Sequence, residues 1–378
     1  MEIHVVQRGD TVSAIATAYG VEQNSIIYIN QLAEPYQLAV GQALLIDRGT
    51  RELFRLPMST LGYAYPFISP WVLEQTLPYL SELAVFSYGF TEDGRLVPPS
   101  LDDTWMIQRA RLMGVAPILT LTPLNAEGNF SNVLINCLVN RSASVQQLIG
   151  ELKATMAAKG YRGLDIDFEY ILEADRDTYT AFVLTLTQAM HQEGYTVTVA
   201  LAPKSSARYV SPLTDGLDYA ALGAAVDHVL VMTYEWGYTY GPPMAVAPLP
   251  QVRQVMEYAL TQIPREKLRM GIPNYGYDWT LPFVRGESRA RTLGNVEAAA
   301  QAAEVGVEIQ FDETAQAPFY HYVQEGNTHE VWFEDARSLR AKYGLMEELG
   351  LEGAGVWQIM QLFRAMWILA AGTFRLQK

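Results

Sequence analysis

One cysteine, five histidines and no apolar run of membrane length take several classes of protein out of consideration. Cys137 alone makes no internal disulfide and reads as a small apolar residue. The histidines are scattered, with no pair at helical spacing, no HExxH and no CxxC, so neither a metal site nor a cofactor is expected. A membrane span needs roughly 18 apolar residues, and no run approaches that. The opening, MEIHVVQRGD, has no basic start followed by an apolar stretch, so no secretory signal is expected. Positive charge is scarce too: a net charge of −14 argues against nucleic acid and against an anionic membrane surface. What remains is 378 residues, about half of them apolar, enough for one large domain and a small one.

The chain divides near residue 50. A short strand at Ile3 to Val6 turns at Arg8-Gly9-Asp10, and a helix from Thr11 places Val12, Ile15, Ala16 and Tyr19 on one face. A second helix covers about Gln23 to Ile29, Asn30 closes it, and LAVGQALLI reads as a returning strand. The VQRGDT opening, Asn30 and the VGQALLI close make residues 1–48 resemble a LysM module. The resemblance implies binding of N-acetylglucosamine-containing glycans, with Gly9, Asp10, Thr11 and Asn30 as the glycan-binding residues. DRGTRELFRLP then reads as a short linker, leaving a larger domain over 55–378.

In that domain eight apolar strands alternate with amphipathic helical stretches, the pattern of a (β/α)8 TIM barrel, whose catalytic groups sit at the C-terminal ends of the strands. The strands are read near STLGYAY, LAVFSYGF, VAPILTL, GLDIDFE, YTVTVALA, DHVLVMTY, LRMGIPNYGY and GAGVWQIM. Residues from about 279 to 331 fit neither element and read as a small α+β insertion after strand seven, with its own short strands. The fold class expected is thus α/β, a TIM barrel preceded by a small βααβ domain.

The fourth strand carries the chemistry. In GLDIDFE, alternation turns Leu164, Ile166 and Phe168 toward the helices and Asp165, Asp167 and Glu169 into the barrel, with Glu169 nearest the mouth. Three acids so close repel one another, which raises the proton affinity of at least one, and a carboxyl held protonated near neutrality is what a general acid requires. The bland alternative is a structural ion cluster or a cation site. No other strand shows an obvious inward Lys or Arg at that depth, and no loop has calcium-ligand spacing. In HVLVMTY the face His228, Leu230, Met232, Tyr234 brings Tyr234 to the mouth, with His228 expected in the core. In GAGVWQIM the face Gly353, Gly355, Trp357 leaves room beneath an indole suited to stack on a sugar. Tyr88, Trp236 and Tyr275 fall at other strand ends or adjoining loops and are expected along the groove.

GLDIDFE resembles the DGxDxDxE signature of glycoside hydrolase family 18, and the resemblance covers about residues 55–378. VMTYEWGYTYGPPMAVAP, GIPNYGYDWTLPFVRGESRA and GVWQIM look like the spore-associated branch of that family, the cortical fragment-lytic N-acetylglucosaminidases. There are departures: Arg162 where the signature has Asp or Asn, Glu235 after Tyr234 where chitinases have Asp, and no SxGG in strand three. The resemblance implies retaining, substrate-assisted hydrolysis of β-1,4 bonds after N-acetylglucosamine. Glu169 would act as acid and base, Asp167 as support for the acetamido N–H, Asp165 as its tuner, and Tyr234 as a ligand of the acetamido oxygen, with Glu235 also touching substrate.

The substrate so implied is peptidoglycan, spore cortex or its fragments. A chitinase-type hydrolase of other N-acetylglucosamine polymers and a non-hydrolytic glycan-binding spore protein stay open beside it. The missing signal fits a protein made in the mother-cell cytoplasm and laid at the spore surface or coat–cortex region. A monomer is expected, with a barrel that folds without the module.

Overall fold

The computed structural model describes residues 1–49, 54–125 and 127–378. The expected linker lies partly outside them, at residues 50–53.

The N-terminal unit pairs β1 (Glu2–Val5) antiparallel with β2 (Ala43–Ile46) and packs two helices on the pair, α1 (Val12–Tyr19) and α2 (Gln23–Asn30). Its core is Val6, Val12, Ile15, Ala16, Ile26, Leu44 and Ile46. With so small a core, polar clips hold the loops. Thr11 caps α1 by accepting from the Ala14 N–H at 3.1 Å. The Asn30 amide donates to the carbonyls of Ile26 (2.9 Å) and Leu45 (3.0 Å) and accepts from the Leu45 N–H at 2.7 Å.

The large domain follows as β3 (Pro57–Ala64), β4 (Glu82–Phe90), a short β5 (Leu96–Val97) folded back on β4, β6 (Ala116–Leu121), β7 (Gly163–Ile166), β8 (Thr196–Leu201), β9 (His228–Val231) and β10 (Leu268–Pro273). An antiparallel five-stranded sheet comes next, built from β11 (Gly276–Leu281), β12 (Arg291–Leu293), β13 (Gln310–Asp312), β14 (Ala317–Gln324) and β15 (Asn327–Trp332) in the order β12-β11-β15-β14-β13. The chain then returns through β16 (Gly353–Trp357) and ends in β17 (Arg375–Leu376). Strands β3, β4, β6, β7, β8, β9, β10 and β16 are parallel neighbours, and the β3–β4 pairing closes them into an eight-stranded barrel. The reading of LRMGIPNYGY as one strand is corrected. The barrel strand stops at Pro273, and Gly276 already pairs with Leu293 in the inserted sheet.

Alternation sorts the fourth barrel strand as expected. Phe168 stacks outward on Phe90, Tyr179 and Phe182 at 5.4–5.8 Å, while Leu61, Tyr63, Ala84, Phe86, Ile118 and Leu230 fill the barrel. The absence of an inward cation is not what the structure shows. Arg269 on β10, only 1 % exposed, lies in the barrel floor between Glu82 and Glu352, with its Nε 2.7 Å from the Glu352 carboxylate. Gly271 and Pro273 share its face and carry no charge, so the strand does not look polar and the arginine is easily passed over. His228 sits at the same level, its Nδ1 3.9 Å from Glu352, away from the mouth.

The N-terminal unit does not hang free. Ile29 and Leu45 are buried in the same apolar core as the barrel helices. The Gln31 side chain donates to the Leu362 carbonyl (3.1 Å) and accepts from the Arg364 N–H (2.7 Å). The Arg364 guanidinium donates to the Tyr28 carbonyl and lies 3.8 Å over the Tyr28 ring. Gln37 reaches the Ala303 carbonyl at 2.7 Å, and the Ile309 N–H reaches Val40 at 2.9 Å. This seam changes the expectation for a truncated chain. Cutting away residues 1–49 uncovers the barrel surface beneath Ile29 and Leu45, with a stability loss of roughly 3 kcal/mol by the usual value of burying two aliphatic side chains. Thermal melts of the full and shortened proteins check this, and equal melting temperatures would show that the seam contributes nothing.

Candidate active site

The three acids climb from floor to mouth. Asp165 is fully buried, Asp167 is 6 % exposed just past the end of β7, and Glu169 is half-buried beneath the opening. Both oxygens of Asp165, Oδ1 of Asp167 and the hydroxyls of Tyr63 and Thr120 are buried without a hydrogen-bond partner in good geometry. Burial pushes Asp165 up to about 7, against the pull of the neighbouring Tyr63 and Thr120 hydroxyls. Asp167 is raised by burial, then by the charges of Glu169 and Asp165. Burial, then the charge of Glu235, lifts Glu169 to about 7. Asp165 and Glu169 thus exchange protons near neutral pH, the condition for a carboxyl to donate one to a substrate.

Around the acids a cavity of 910 Å³ opens at the C-terminal mouth, lined by Asp167, Glu169, Tyr234, Glu235, Met232 and Trp357 among others. Tyr234 is nearly buried, and burial with the charges of Asp167 and Glu169 keeps its hydroxyl protonated, a donor aimed where the acids converge. Gly271 makes room for it, since a Cβ there would lie 2.7 Å from the Tyr234 ring. The Trp357 indole forms the floor, its edge against Phe86 (4.8 Å), Tyr63 (5.6 Å) and Tyr65 (6.2 Å). The room expected beneath it at Gly355 is instead filled by Leu230, whose Cδ1 would come within 2.6 Å of any Cβ at that glycine.

Glu235 stands open to the cavity on one side and is crowded by protein on the other. It accepts from the hydroxyls of Tyr275 and Tyr277, the latter at 2.8 Å. Loss of solvation raises its carboxyl, and the two tyrosines oppose the shift. Tyr275 therefore acts at one remove, by fixing Glu235, and is not in the cavity wall.

Two more expected groove residues are elsewhere. A register shift between Val85 and Tyr88 in the β4–β6 pairing breaks the alternation. Phe86 and Ser87 thus face the cavity, while Tyr88 turns outward and donates to the buried Asp103 at 2.6 Å. Trp236 is turned away because Glu235 adopts φ 67, a left-handed conformation that swings the chain; its N–H binds Val246 and its ring packs on the core.

Residues from other loops complete the wall: Tyr65 and Phe67 after β3, Leu101 after β5, Phe130 after β6, Tyr170 after β7 and Tyr238 after β9. The alternating Tyr63 and Tyr65 of GYAYPF carried a signal; the loop residues, without periodicity, carried none.

In the N-terminal unit, the residues expected to hold glycan are engaged in its own fold. Asp10 accepts from the Gln7 N–H and lies 2.8 Å from His4 Nε2, Gly9 supplies a turn at φ 89, Thr11 caps α1, and Asn30 is spent on its three clips. Both amide hydrogens of Asn30 are spent on these clips, leaving one lone pair of its oxygen to accept from a sugar.

Comparison with known proteins agrees with this geometry. The profile described as Glycosyl hydrolases family 18 matches residues 123–361, and that of the LysM domain matches residues 4–47. The cortical fragment-lytic enzyme of Bacillus subtilis (strain 168) is 35 % identical over 431 aligned residues, covering 100 % of this chain and 99 % of its own. The crystal structure of the Bacillus cereus spore cortex-lytic enzyme SleL superposes with a TM-score of 0.92 at 31 % identity, over 100 % of this chain and 99 % of that one. A chitinase from Chromobacterium violaceum, 24 % identical with a TM-score of 0.76 over 84 % of this chain and 98 % of its own, shares the fold. The chain belongs to family 18 of the glycosyl hydrolases and carries an N-terminal LysM domain.

Proposed function

We propose that the protein hydrolyses β-1,4 bonds after N-acetylglucosamine in spore-cortex peptidoglycan or its fragments, with retention and with the substrate's own acetamido group as nucleophile. The observation that carries this reading is the ladder of raised acids, Asp165, Asp167 and Glu169, converging with Tyr234 over the Trp357 floor. Glu169 gives its proton to the leaving oxygen while the acetamido oxygen closes on the anomeric carbon. Asp167, as the carboxylate, accepts from the acetamido N–H and balances the positive oxazolinium ring, while Asp165 keeps the proton the two share. The Tyr234 hydroxyl donates to the acetamido oxygen and holds it in line. Glu169, now a carboxylate, then draws a proton from the incoming water and is restored.

The cortex is favoured over chitin by the relatives that align along the whole chain, both named for cortex, whereas the chitinase shares only the fold. A non-hydrolytic role is disfavoured because the donor carboxyl is present and its proton affinity is raised to about 7. A spore-associated location follows from the same relatives, and the LysM domain supplies adhesion to the insoluble polymer.

Mass spectrometry and early-time NMR of products from cortex fragments test the mechanism. Reducing N-acetylglucosamine ends in the β configuration are expected, thiazoline mimics should inhibit, and substrates with a free 2-amino group should survive intact. Reducing muramic ends, or α product at early times, would contradict it.

A further inference from the structure

The loops around the mouth divide by charge. Those after β3, β4, β6 and β16 contain one cation, Arg95, and it is paired with Asp93 at 3.0 Å. The loops after β8 and β11 carry Lys204, Arg208, Arg285 and Arg289, and none of these has a carboxylate partner among the described residues. The loop after β8 reaches the cavity through Leu213. The loop after β11 leans on the one after β9: the Ala290 N–H donates to the Thr239 carbonyl at 2.8 Å, and the Arg289 guanidinium lies 5.9 Å above the Tyr240 ring. Tyr240 in turn sits against Tyr238, which lines the cavity, with ring centroids 6.4 Å apart. Neighbouring acids are mostly engaged already. Asp215 accepts from the Ser211 N–H, Asp218 caps the helix Tyr219–Ala225, and Glu173 pairs with Arg176. Glu287 stands in the same loop as the arginines, and on its far side Arg289 borders a second pocket whose acids are Asp278 and Glu297, both paired with Arg291, and Glu304 and Glu325.

This arrangement runs against the rest of the molecule. The chain has a net charge of −14, and the cavity itself is lined by Asp167, Glu169 and Glu235 with no cation. An anionic group is therefore repelled from the centre and from most of the surface, while the rim beyond Tyr238 attracts it. Four exposed or half-exposed cations left unpaired there, on an acidic protein, suit a substrate whose sugars are neutral and whose substituents are not.

Resting on the reading of the protein as a peptidoglycan hydrolase, we infer that this rim binds carboxylates borne by the glycan chain, the lactyl ether or the peptide attached to it. Arg285 and Arg289 would serve as the main contacts. Carboxylate-bearing glycan is then distinguished from uncharged N-acetylglucosamine polymers at the rim, without any change in the reacting centre.

The test compares the full-length protein with an Arg285→Gln/Arg289→Gln variant on four substrates: peptide-bearing fragments, fragments stripped of peptide, the same fragments with carboxylates methyl-esterified, and a neutral N-acetylglucosamine oligomer. Two exposed ion pairs predict a KM rise of about 3- to 10-fold on the peptide-bearing fragments, with kcat unchanged. Kinetics on the neutral oligomer should not move, and esterification should cost the unmodified protein the same factor. The gap should shrink in high salt. An effect that survives peptide removal assigns the lactyl group; one that vanishes assigns the peptide. An equal KM for variant and parent on carboxylate-bearing fragments would overturn the proposal. Calorimetric binding of the same fragments is measured beside turnover. Carboxylate-dependent binding without hydrolysis would reject the hydrolase reading and leave the rim standing.

Discussion

Replacing Glu169 by Gln lowers turnover at least about 100-fold on substrates with poor leaving groups, the usual scale of losing a general acid. The substitution keeps the shape and removes only the proton, so binding and melting temperature should be preserved. The pH profile carries the sharper information. Burial first and Glu235 second lift the Glu169 carboxyl to about 7, so the donor is protonated below that pH and is lost as pH rises through it. The rate should accordingly fall on the alkaline side. Glu235→Gln removes a repelling charge, lowers the proton affinity of Glu169, and should move that alkaline limb to lower pH. Profiles of kcat/KM for the parent and both variants check the assignment. A limb that moves upward in Glu235→Gln, or near-full activity in Glu169→Gln, would defeat it.

Arg269→Leu is expected to cost about 3–5 kcal/mol of stability, the range for breaking a buried ion pair by removing one partner. The guanidinium is almost wholly buried between Glu82 and Glu352, and its loss leaves two carboxylates facing each other in the barrel floor. The effect reaches upward as well. Arg269 is among the groups that hold down the proton affinity of Asp165, so the variant should bind a proton there more tightly. Urea denaturation measures the first consequence. Converting Glu82 and Glu352 to Gln in the same protein should recover much of the loss, since the destabilisation comes from stranded charge. A single-variant loss below about 1 kcal/mol, typical of an exposed pair, would mean the floor is solvated after all.

The sequence was most informative where one periodicity ran unbroken. GLDIDFE obeys strand alternation across seven residues, and its acids lie inside and its apolar residues outside as read. Tyr234 and Trp357 were legible for the same reason. Tyr88 and Trp236 were misplaced where alternation is interrupted, by a register shift in one case and by a left-handed residue in the other. Neither interruption falls on a glycine or proline. Arg269 was missed because its strand neighbours are uncharged, and its two carboxylate partners lie 187 and 83 residues away in the chain. The aromatic loop residues of the wall are set by tertiary packing alone.

The seam between the N-terminal unit and the barrel limits how this enzyme can be re-engineered. In sequence the LysM domain looks like a cassette, followed by a few residues of connector. In space its removal strips Arg364 of Tyr28 and Gln31 and opens the ground on which Ile29 and Leu45 rest. A hybrid carrying another glycan-binding domain would need those four side chains grafted onto it before the barrel regained its cover. A second copy of the domain, by contrast, could be added ahead of the first without disturbing any of these contacts, provided Met1, which packs against Gly372, keeps its place.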